Sequence, residues 1–318
     1  MNIYKFYNIN SRTCYSRQVD CFLKVEKMNY VNFVFQKSKH HPRIKQLAII
    51  LAFFMLGSNI AHAQDAEVAS PTPESTILSD TEQKGLEIAK TIKSRNTGWG
   101  SSSSDMTMIL RNKKGREIER LMVNKSLEVT NDGDKSLTVF NTPKDVKGTA
   151  FLSFSHIEGS DDQWIYLPAL KRVKRIASRN KSGPFLGSEF AFEDLASFEV
   201  EKNTYNYLSD EIVNGLETFK VEMRPTDKFS GYTRFISWVD KEHYRVQKIE
   251  FYDRRDTLLK TLTQDDFNLH KDQFWRANKQ FMVNHKTGKS TDIIISNLTF
   301  DVEIDDASFN ENRLKNAR

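Results

Sequence analysis

Thiols are almost absent from this sequence of 318 residues. Its two cysteines, Cys14 and Cys21, both precede the one strongly apolar run of the chain, residues 47–56. Everything after that run therefore has no disulfide, no cysteine nucleophile and no cysteine ligand for a metal.

Groups arranged for metal binding or catalysis are equally scarce. The histidines beyond residue 63 are His156, His243, His270 and His285, and no two are spaced to bind one metal ion. The sequence contains no nucleophile elbow, Walker loop or dinucleotide-binding glycine motif. Acid pairs at 161/162, 193/194, 265/266 and 305/306 are typical of solvated turns at strand ends. We therefore expect no metal, no cofactor and no catalytic residue.

A long hydrophobic run is also lacking. The ten apolar residues 47–56 are too few to cross a bilayer, which needs about 20. A basic flank before them and the small-residue close at 61–63 predict a secretory signal, cleaved between Ala63 and Gln64. Because Gln64 is not a cysteine, no N-terminal lipid anchor is expected. The pattern predicts a soluble periplasmic protein.

The segment before the predicted signal is unusually long. A start at Met28 would give a signal of ordinary length, so residues 1–27 need not be translated.

The basic charge of the chain belongs largely to this segment. Residues 1–63 hold nine of the 47 basic and two of the 42 acidic residues, which leaves residues 64–318 with a net charge of −2. A nucleic-acid partner, which requires a basic footprint, is not expected.

Residues 64–78 are acidic, contain proline and serine, and show no periodicity, which is typical of a flexible leader. A capping box follows at Ser79 and Glu82, and Leu86, Ala89 and Ile92 recur at helical spacing. The narrow apolar stripe predicts one helix of about four turns that covers a larger body as a lid.

Beyond residue 104 the pattern is that of antiparallel strands joined by short turns. The strand-like runs are residues 106–110, 118–129, 136–141, 149–156, 163–167, 172–176, 205–208, 218–223, 233–239, 244–252, 258–267, 273–283 and 291–300. The first two runs make a hairpin, and the eleven further runs predict a mainly β fold, with one curved sheet or barrel of about eleven strands. We find no second domain, so residues 79–318 are expected to form one unit.

Alternation along these strands predicts which side chains face the interior. An ordinary core is one interpretation. A barrel of more than about eight strands can also leave space inside, so an apolar hollow is the other. The candidates are Leu152, Phe154, Trp164, Tyr166, Ile236, Trp238, Ile249, Phe251, Phe281, Ile293 and Ile295.

A basic run follows the strand at 163–167. Lys171, Arg172, Lys174 and Arg175 divide between the two faces of the next strand. A solvated edge protected by charge is the simplest interpretation. The functional alternative is a margin that contacts an acidic partner or lipid head groups.

Residues 142–195 resemble the core of the outer membrane lipoprotein-sorting protein family, which is similar to LolA. The shared motifs are a P-x-D-V-K-G-T opening at 143–149, DDQWIYLPALKRVKRI at 161–176, and an S-G-x-F-x-G-S-x-F-x-x-E-D-L loop at 182–195. Pro184 and Glu189 depart from the usual residues. A weaker resemblance extends over residues 78–314.

The resemblance implies an unclosed, strongly curved β-barrel with a helical lid over a hydrophobic cavity. It also implies a periplasmic carrier of lipid or lipoprotein acyl chains, with an inner-membrane transporter of the RND/MMPL type as a partner and transient membrane contact. Phe185, Phe190 and Phe192 would then plug or gate the cavity. Two alternatives remain: an enzyme using Asp162 or Glu193, and an envelope scaffold that binds a protein through Arg172 and Lys174.

Overall fold

The structure, a computed structural model, describes residues 78–317. The predicted signal, its cleavage site at Ala63 and Gln64, and nearly all of the predicted leader lie outside the described residues. Helix α1 (Asp80–Arg95) begins with the predicted capping box: the Glu82 amide donates to the Ser79 hydroxyl, and the Ser79 amide donates to the Glu82 carboxylate.

Thirteen antiparallel strands follow α1 and form one sheet. They are β1 (Ser101–Arg111), β2 (Glu117–Leu127), β3 (Lys135–Thr142), β4 (Ala150–Phe154), β5 (Asp162–Leu167), β6 (Arg172–Arg175), β7 (Asn203–Val213), β8 (Leu216–Pro225), β9 (Tyr232–Asp240), β10 (Val246–Asp253), β11 (Leu258–His270), β12 (Phe274–Asn284) and β13 (Ser290–Phe300). The mainly β, single-sheet prediction is confirmed, with thirteen strands in place of about eleven.

The order of the strands shows that the sheet is not closed. Each strand pairs with the strands that precede and follow it in the chain, except that β6 and β7 do not pair with each other. In addition, the first strand, β1, pairs with the last, β13. The open edges are therefore β6 and β7, which are consecutive in the chain. The predicted unclosed barrel is confirmed, and its opening lies where residues 176–202 connect the two edge strands.

Part of that connection, residues 176–195, enters the concave side of the sheet and is called the plug loop. Phe185 and Phe190 of the loop are buried among interior side chains of the strands. The Phe185 ring lies 5.0 Å from that of Phe151, and Phe192 lies 5.8 Å from Phe151. The interior beside the plug loop is therefore a packed aromatic core and not an empty hollow.

Helix α1 covers a different part of the concave side. Ile88 and Ala89 pack against Tyr205, Val221 and Val239 of the strands near the β7 edge. Gly85 brings the helix close to β7, because a Cβ at this position would lie 2.9 Å from the Tyr207 amide nitrogen. The single helix thus acts as the cover that its amphipathic stripe predicts.

A third apolar cluster lies on the opposite, convex face of β3, β4 and β5. Phe309 and Leu314 of the C-terminal segment cover this face. The expectation that Leu152, Phe154, Trp164 and Tyr166 face the cavity is wrong, since these four residues belong to this convex cluster. The interior positions of the same strands are Phe151 and Ile165.

The assignments on β9 and β12 also need correction. Trp238 donates from Nε1 to Glu211 and is covered by Lys220 and Lys248, and Ile236 lies on the same face of β9, away from the interior cluster. Phe281 is 41% exposed, whereas its neighbour Met282 is buried in the interior.

The remaining predicted positions lie in the interior cluster. Ile249 and Phe251 of β10 and Ile293 and Ile295 of β13 pack there, together with Phe185, Phe190 and Phe192 of the plug loop.

Candidate functional site

A cavity of about 840 Å³ lies between the end of α1 and the concave side of the sheet. Its wall is formed by the last turn of α1, the turn between β9 and β10, and the strands β1, β2 and β10–β13. Among its lining residues are Ile92, Lys93, Arg95, Trp99, Asp134, Phe198, His243, Tyr244, Arg245, Gln264, Phe267, Asp272, Trp275, Arg276, Ala277, Gln280 and Ile295. Pockets of this size commonly hold a whole small ligand.

Aromatic and aliphatic side chains supply much of the wall. Trp99 is 5% exposed and packs edge-on against Phe300. Trp275 lies 4.8 Å from His243 in a tilted stack, and Phe267 and Ile295 contribute further apolar surface. Such rings offer an alkyl chain a large contact area.

Cationic side chains also line the cavity, and three of them are engaged by neighbours. Lys93 forms a 2.7 Å ion pair with the buried Glu199. Arg95 donates to the Glu242 carbonyl, and Arg245 forms a 2.8 Å ion pair with Asp240. Carboxylates therefore compensate the charges of Lys93 and Arg245, whereas Arg95 is exposed and has a carbonyl and the Tyr244 ring as partners.

Arg276 also has no carboxylate partner among the described residues, and unlike Arg95 it is partly buried. Its one hydrogen bond within residues 78–317 goes to the Trp275 carbonyl, and no described carboxylate lies within 4.0 Å of its guanidinium. Burial lowers the pKa of Arg276, against the opposing charges of Asp134 and Glu128. The guanidinium thus lies in a desolvated position without a close counter-ion.

Asp134 is the buried acid of the cavity. Burial raises its pKa to about 6, although the positive charge of Lys93 opposes the shift. The neighbouring Glu128 is occupied elsewhere, because it accepts hydrogen bonds from the amides of Gly98 and Gly100. Near neutral pH the Asp134 carboxyl is mostly ionised, but it forms no ion pair with Arg276.

A second cavity, of about 700 Å³, lies beside the plug loop. A buried ion pair between Lys260 of β11 and Asp194 holds the loop at its border. Tyr232 donates to the same carboxylate at 2.8 Å, and the Ala191 amide donates at 2.6 Å. These contacts fasten the loop to the sheet.

Few of the predicted cavity residues line either cavity. Ile295 lines it, and Phe190 lines the second cavity. Sequence reasoning missed Trp99, Trp275 and Arg276. One signal was available for β12, where a charged residue, Arg276, directly follows the aromatic pair Phe274-Trp275.

The predicted basic margin is exposed at the β6 edge of the sheet. All four residues of β6 are exposed, and Lys171 precedes them in a left-handed conformation with a φ of 49°. Arg175 forms an ion pair with Asp162 of β5. The other edge of the strand has no partner strand among the described residues.

The two acids considered for catalysis do not line either cavity. Asp162 is paired with Arg175. Burial raises the pKa of Glu193, which accepts hydrogen bonds from the Gly231 amide and the Ser230 hydroxyl and so anchors the plug loop.

Within residues 78–317, no group of three or more His, Cys, Asp or Glu side chains could hold a metal ion. No described helix is long and apolar enough to span a membrane.

Solved structures with the same architecture include three relatives. A domain from Vibrio parahaemolyticus, described as an outer membrane lipoprotein-sorting protein domain, is 57% identical, with a TM-score of 0.72 and coverage of 74% of this chain and 99% of that one. A DUF1329 family protein from Desulfovibrio piger is 29% identical (TM-score 0.70; 74% and 100% covered). A LolA superfamily protein from Nitrosomonas europaea is 19% identical (TM-score 0.58; 74% and 99% covered).

A family model described as "Uncharacterized protein" matches residues 132–316. A search of the curated proteins found no match. The unclosed antiparallel sheet with its short covering helix is a LolA-like fold. The 57% sequence identity, over 99% of the Vibrio domain, shows that the chain belongs to the outer membrane lipoprotein-sorting protein family.

Proposed function

We propose that this protein is a periplasmic carrier that binds the acyl chain of a lipid or lipoprotein in the cavity beneath the end of α1. The observation that supports the proposal most is a cavity of about 840 Å³ with aromatic walls, inside a sheet whose relative is described as lipoprotein-sorting. Residues 79–318 would form the carrier domain. The proposal involves no catalytic residue.

The energetics of transport favour such a carrier. Each CH₂ group exposed to water costs about 0.8 kcal/mol, so a chain of about 15 carbons costs on the order of 10 kcal/mol to carry bare. A carrier must cover that surface and still release the chain. The wall of Trp99, Phe267 and Trp275 offers the cover, and α1 at its border is the element that would move.

The periplasmic location rests on the predicted signal and on the name of the Vibrio relative. A partner transporter of the RND/MMPL type rests on the family resemblance alone. Purification of this protein from cross-linked cells should recover such a transporter with it. If the transporter is not recovered with this protein, and this protein is not recovered with the transporter, this part of the proposal is contradicted.

The basic margin, Lys171 with Arg172, Lys174 and Arg175, is proposed as the surface for transient membrane contact. Its exposure at an open sheet edge and its charge support this role. Binding to anionic vesicles should weaken with salt and with R172E/K174E, whereas binding that is insensitive to both changes would contradict it.

The acyl-chain proposal is tested by filling the cavity. Ala277 lines the cavity and is 8% exposed, so Ala277→Trp should occupy the space needed by the chain. Binding of a fluorescent fatty-acid probe to the purified protein should fall at least about ten-fold, or about 1.4 kcal/mol.

Lys279→Trp on the same strand is the matched control, because Lys279 is exposed and lies outside the lining. It should leave probe binding unchanged. Failure of the parent protein to bind the probe, or equal binding by Ala277→Trp, would contradict the proposal.

A further inference from the structure

Arg276 is a cation for which residues 78–317 supply no carboxylate within 4.0 Å. It lines the cavity, and the rings of Phe274 and Phe300 each lie 5.6 Å from its guanidinium carbon. An ionised group in such surroundings is costly unless an opposite charge or several hydrogen bonds compensate it. Its single hydrogen bond, to the Trp275 carbonyl, leaves most of its donors free.

The charged side chains of the lining show which cations remain open to a ligand. Lys93, Arg95, Arg245 and Arg276 are its cations, and Asp134 and Asp272 are its carboxylates. Asp272 is exposed to solvent, and burial raises the pKa of Asp134 to about 6, so its carboxyl is neutral in more acidic solution and mostly ionised near pH 7. Lys93 and Arg245 are already paired with Glu199 and Asp240, so Arg95 and Arg276 are the lining cations without a carboxylate partner among the described residues. Burial and, second, the charge of Arg276 lower the pKa of the nearby His270.

The wall has both apolar and cationic parts. Trp275 and Arg276 of β12 both line the cavity, although as consecutive residues of a strand they lie on opposite faces of β12. On the Arg276 face, Phe274 supplies apolar surface and Gln280 adds a neutral hydrogen-bonding group. An arginine fork binds sulfonate, phosphate and carboxylate oxygens more strongly than neutral groups. A ligand matched to this wall has an alkyl tail and one negative head group.

We infer that the cavity selects anionic amphiphiles over neutral ones of the same chain length, with Arg276 binding the head group. This inference rests on the proposed function, since it specifies the chemical class of the cargo in the same cavity. The predicted cargo therefore has a negatively charged head group, and a neutral acylated molecule should bind more weakly.

Three dodecyl amphiphiles test the inference: dodecanesulfonate, dodecanol and dodecyltrimethylammonium, each used below the concentration at which it aggregates. Their affinities are measured by displacement of N-phenylnaphthylamine from the purified protein. Dodecanesulfonate should bind at least about ten-fold more tightly than dodecanol, and the ammonium compound should bind more weakly than dodecanol.

Three cavity variants show which residue causes the preference. Arg276→Gln should lower the affinity for the sulfonate to that for the alcohol and leave the alcohol unchanged, and Arg276→Lys should retain part of the preference. Asp134→Asn should raise the sulfonate affinity a few-fold, because it removes the remaining negative charge near the head group. Arg116→Gln, in the exposed turn after β1, is the control and should behave as the parent.

The possible outcomes are distinct. Equal affinity for sulfonate and alcohol, a preference for the ammonium compound, or a sulfonate preference that survives in folded Arg276→Gln overturns the inference and leaves the carrier proposal standing. If Arg276→Gln does not fold, an unchanged sulfonate affinity in Asp134→Asn overturns it instead. No binding of any amphiphile or of the fluorescent probe contradicts the proposed function, and the inference with it.

Discussion

At the scale of single residues, the face on which a side chain lies decides its role. In β4 both faces are buried, one by the plug loop and the other by the C-terminal segment. Alternation identifies two sets, Phe151 on one face and Leu152 with Phe154 on the other, but it does not say which set is concave. The cover that makes the convex face apolar comes from residues 309–317, more than 150 positions away.

Phe151 and Phe281 provide a test of this assignment. Phe151 is 1% exposed and contacts two rings of the plug loop, so Phe151→Ala should lower the free energy of unfolding by about 3–5 kcal/mol. Phe281 is 41% exposed on the outer face, so Phe281→Ala should stay within about 1 kcal/mol of the parent. Urea unfolding measures both, and a larger loss at Phe281 would contradict the assignment.

Asp134 makes stability depend on pH. Its pKa is raised to about 6 by burial, so the folded state binds the proton more tightly than the unfolded state does. The cost of ionising it is absent below the ordinary carboxyl range and complete above about pH 6.

Replacing Asp134 by Asn should therefore raise the melting temperature at about pH 7.5 by roughly 2–4 °C, and should have little effect at about pH 4. Thermal unfolding at the two pH values is the measurement. An equal effect at both, or a larger one at the lower pH, would show that Asp134 is not desolvated.

At the scale of elements, the helix and the strands follow from local sequence, whereas the path of the plug loop does not. The capping box at Ser79 fixed the start of α1, and turn signals marked the strand ends. The plug loop has no periodicity, and its position depends on Lys260 and Tyr232, which lie far along the chain. That dependence explains why its phenylalanines could be predicted as a plug but its anchors could not.

The anchoring pair can be tested by a double-mutant cycle. The side chains of Lys260 and Asp194 are 4% and 5% exposed, so Lys260→Met should leave an uncompensated buried carboxylate and cost about 3–5 kcal/mol. The double variant Asp194→Asn with Lys260→Met should lose clearly less than the two single losses added together.

Urea unfolding gives the energies, and tryptic cleavage after Arg179 or Lys181 of the plug loop should become faster in the single variants. Additive losses with unchanged cleavage would mean that the pair does not fasten the loop.

Gly85 gives a second test at this scale. Alanine normally favours a helix by about 1 kcal/mol over glycine, yet here its Cβ would meet the backbone of β7 at 2.9 Å. Gly85→Ala should therefore lower the melting temperature, whereas Lys90→Ala on the exposed face of α1 should leave it nearly unchanged. A higher melting temperature for Gly85→Ala would contradict the close contact between α1 and β7.

At the scale of the whole molecule, the strand pattern and the family motif predicted an unclosed sheet with a covering helix, and both are present. The character of the cavity was not predicted. An apolar hollow was expected across the interior, but the plug loop fills one part, and the space near α1 has a wall that is both aromatic and cationic. Charged residues such as Arg276 gave no periodic signal, since their place is set by strands that meet only in the folded sheet.

Native mass spectrometry of the protein isolated from its own periplasm tests the central claim most directly. The carrier proposal predicts that the parent protein retains a molecule with an alkyl chain, released on denaturation and identified by fragmentation. The Lys279→Trp protein should retain the same molecule, and the Ala277→Trp protein should lose it. A parent protein that carries no such molecule, or an Ala277→Trp protein that carries as much as the parent, would contradict the proposal.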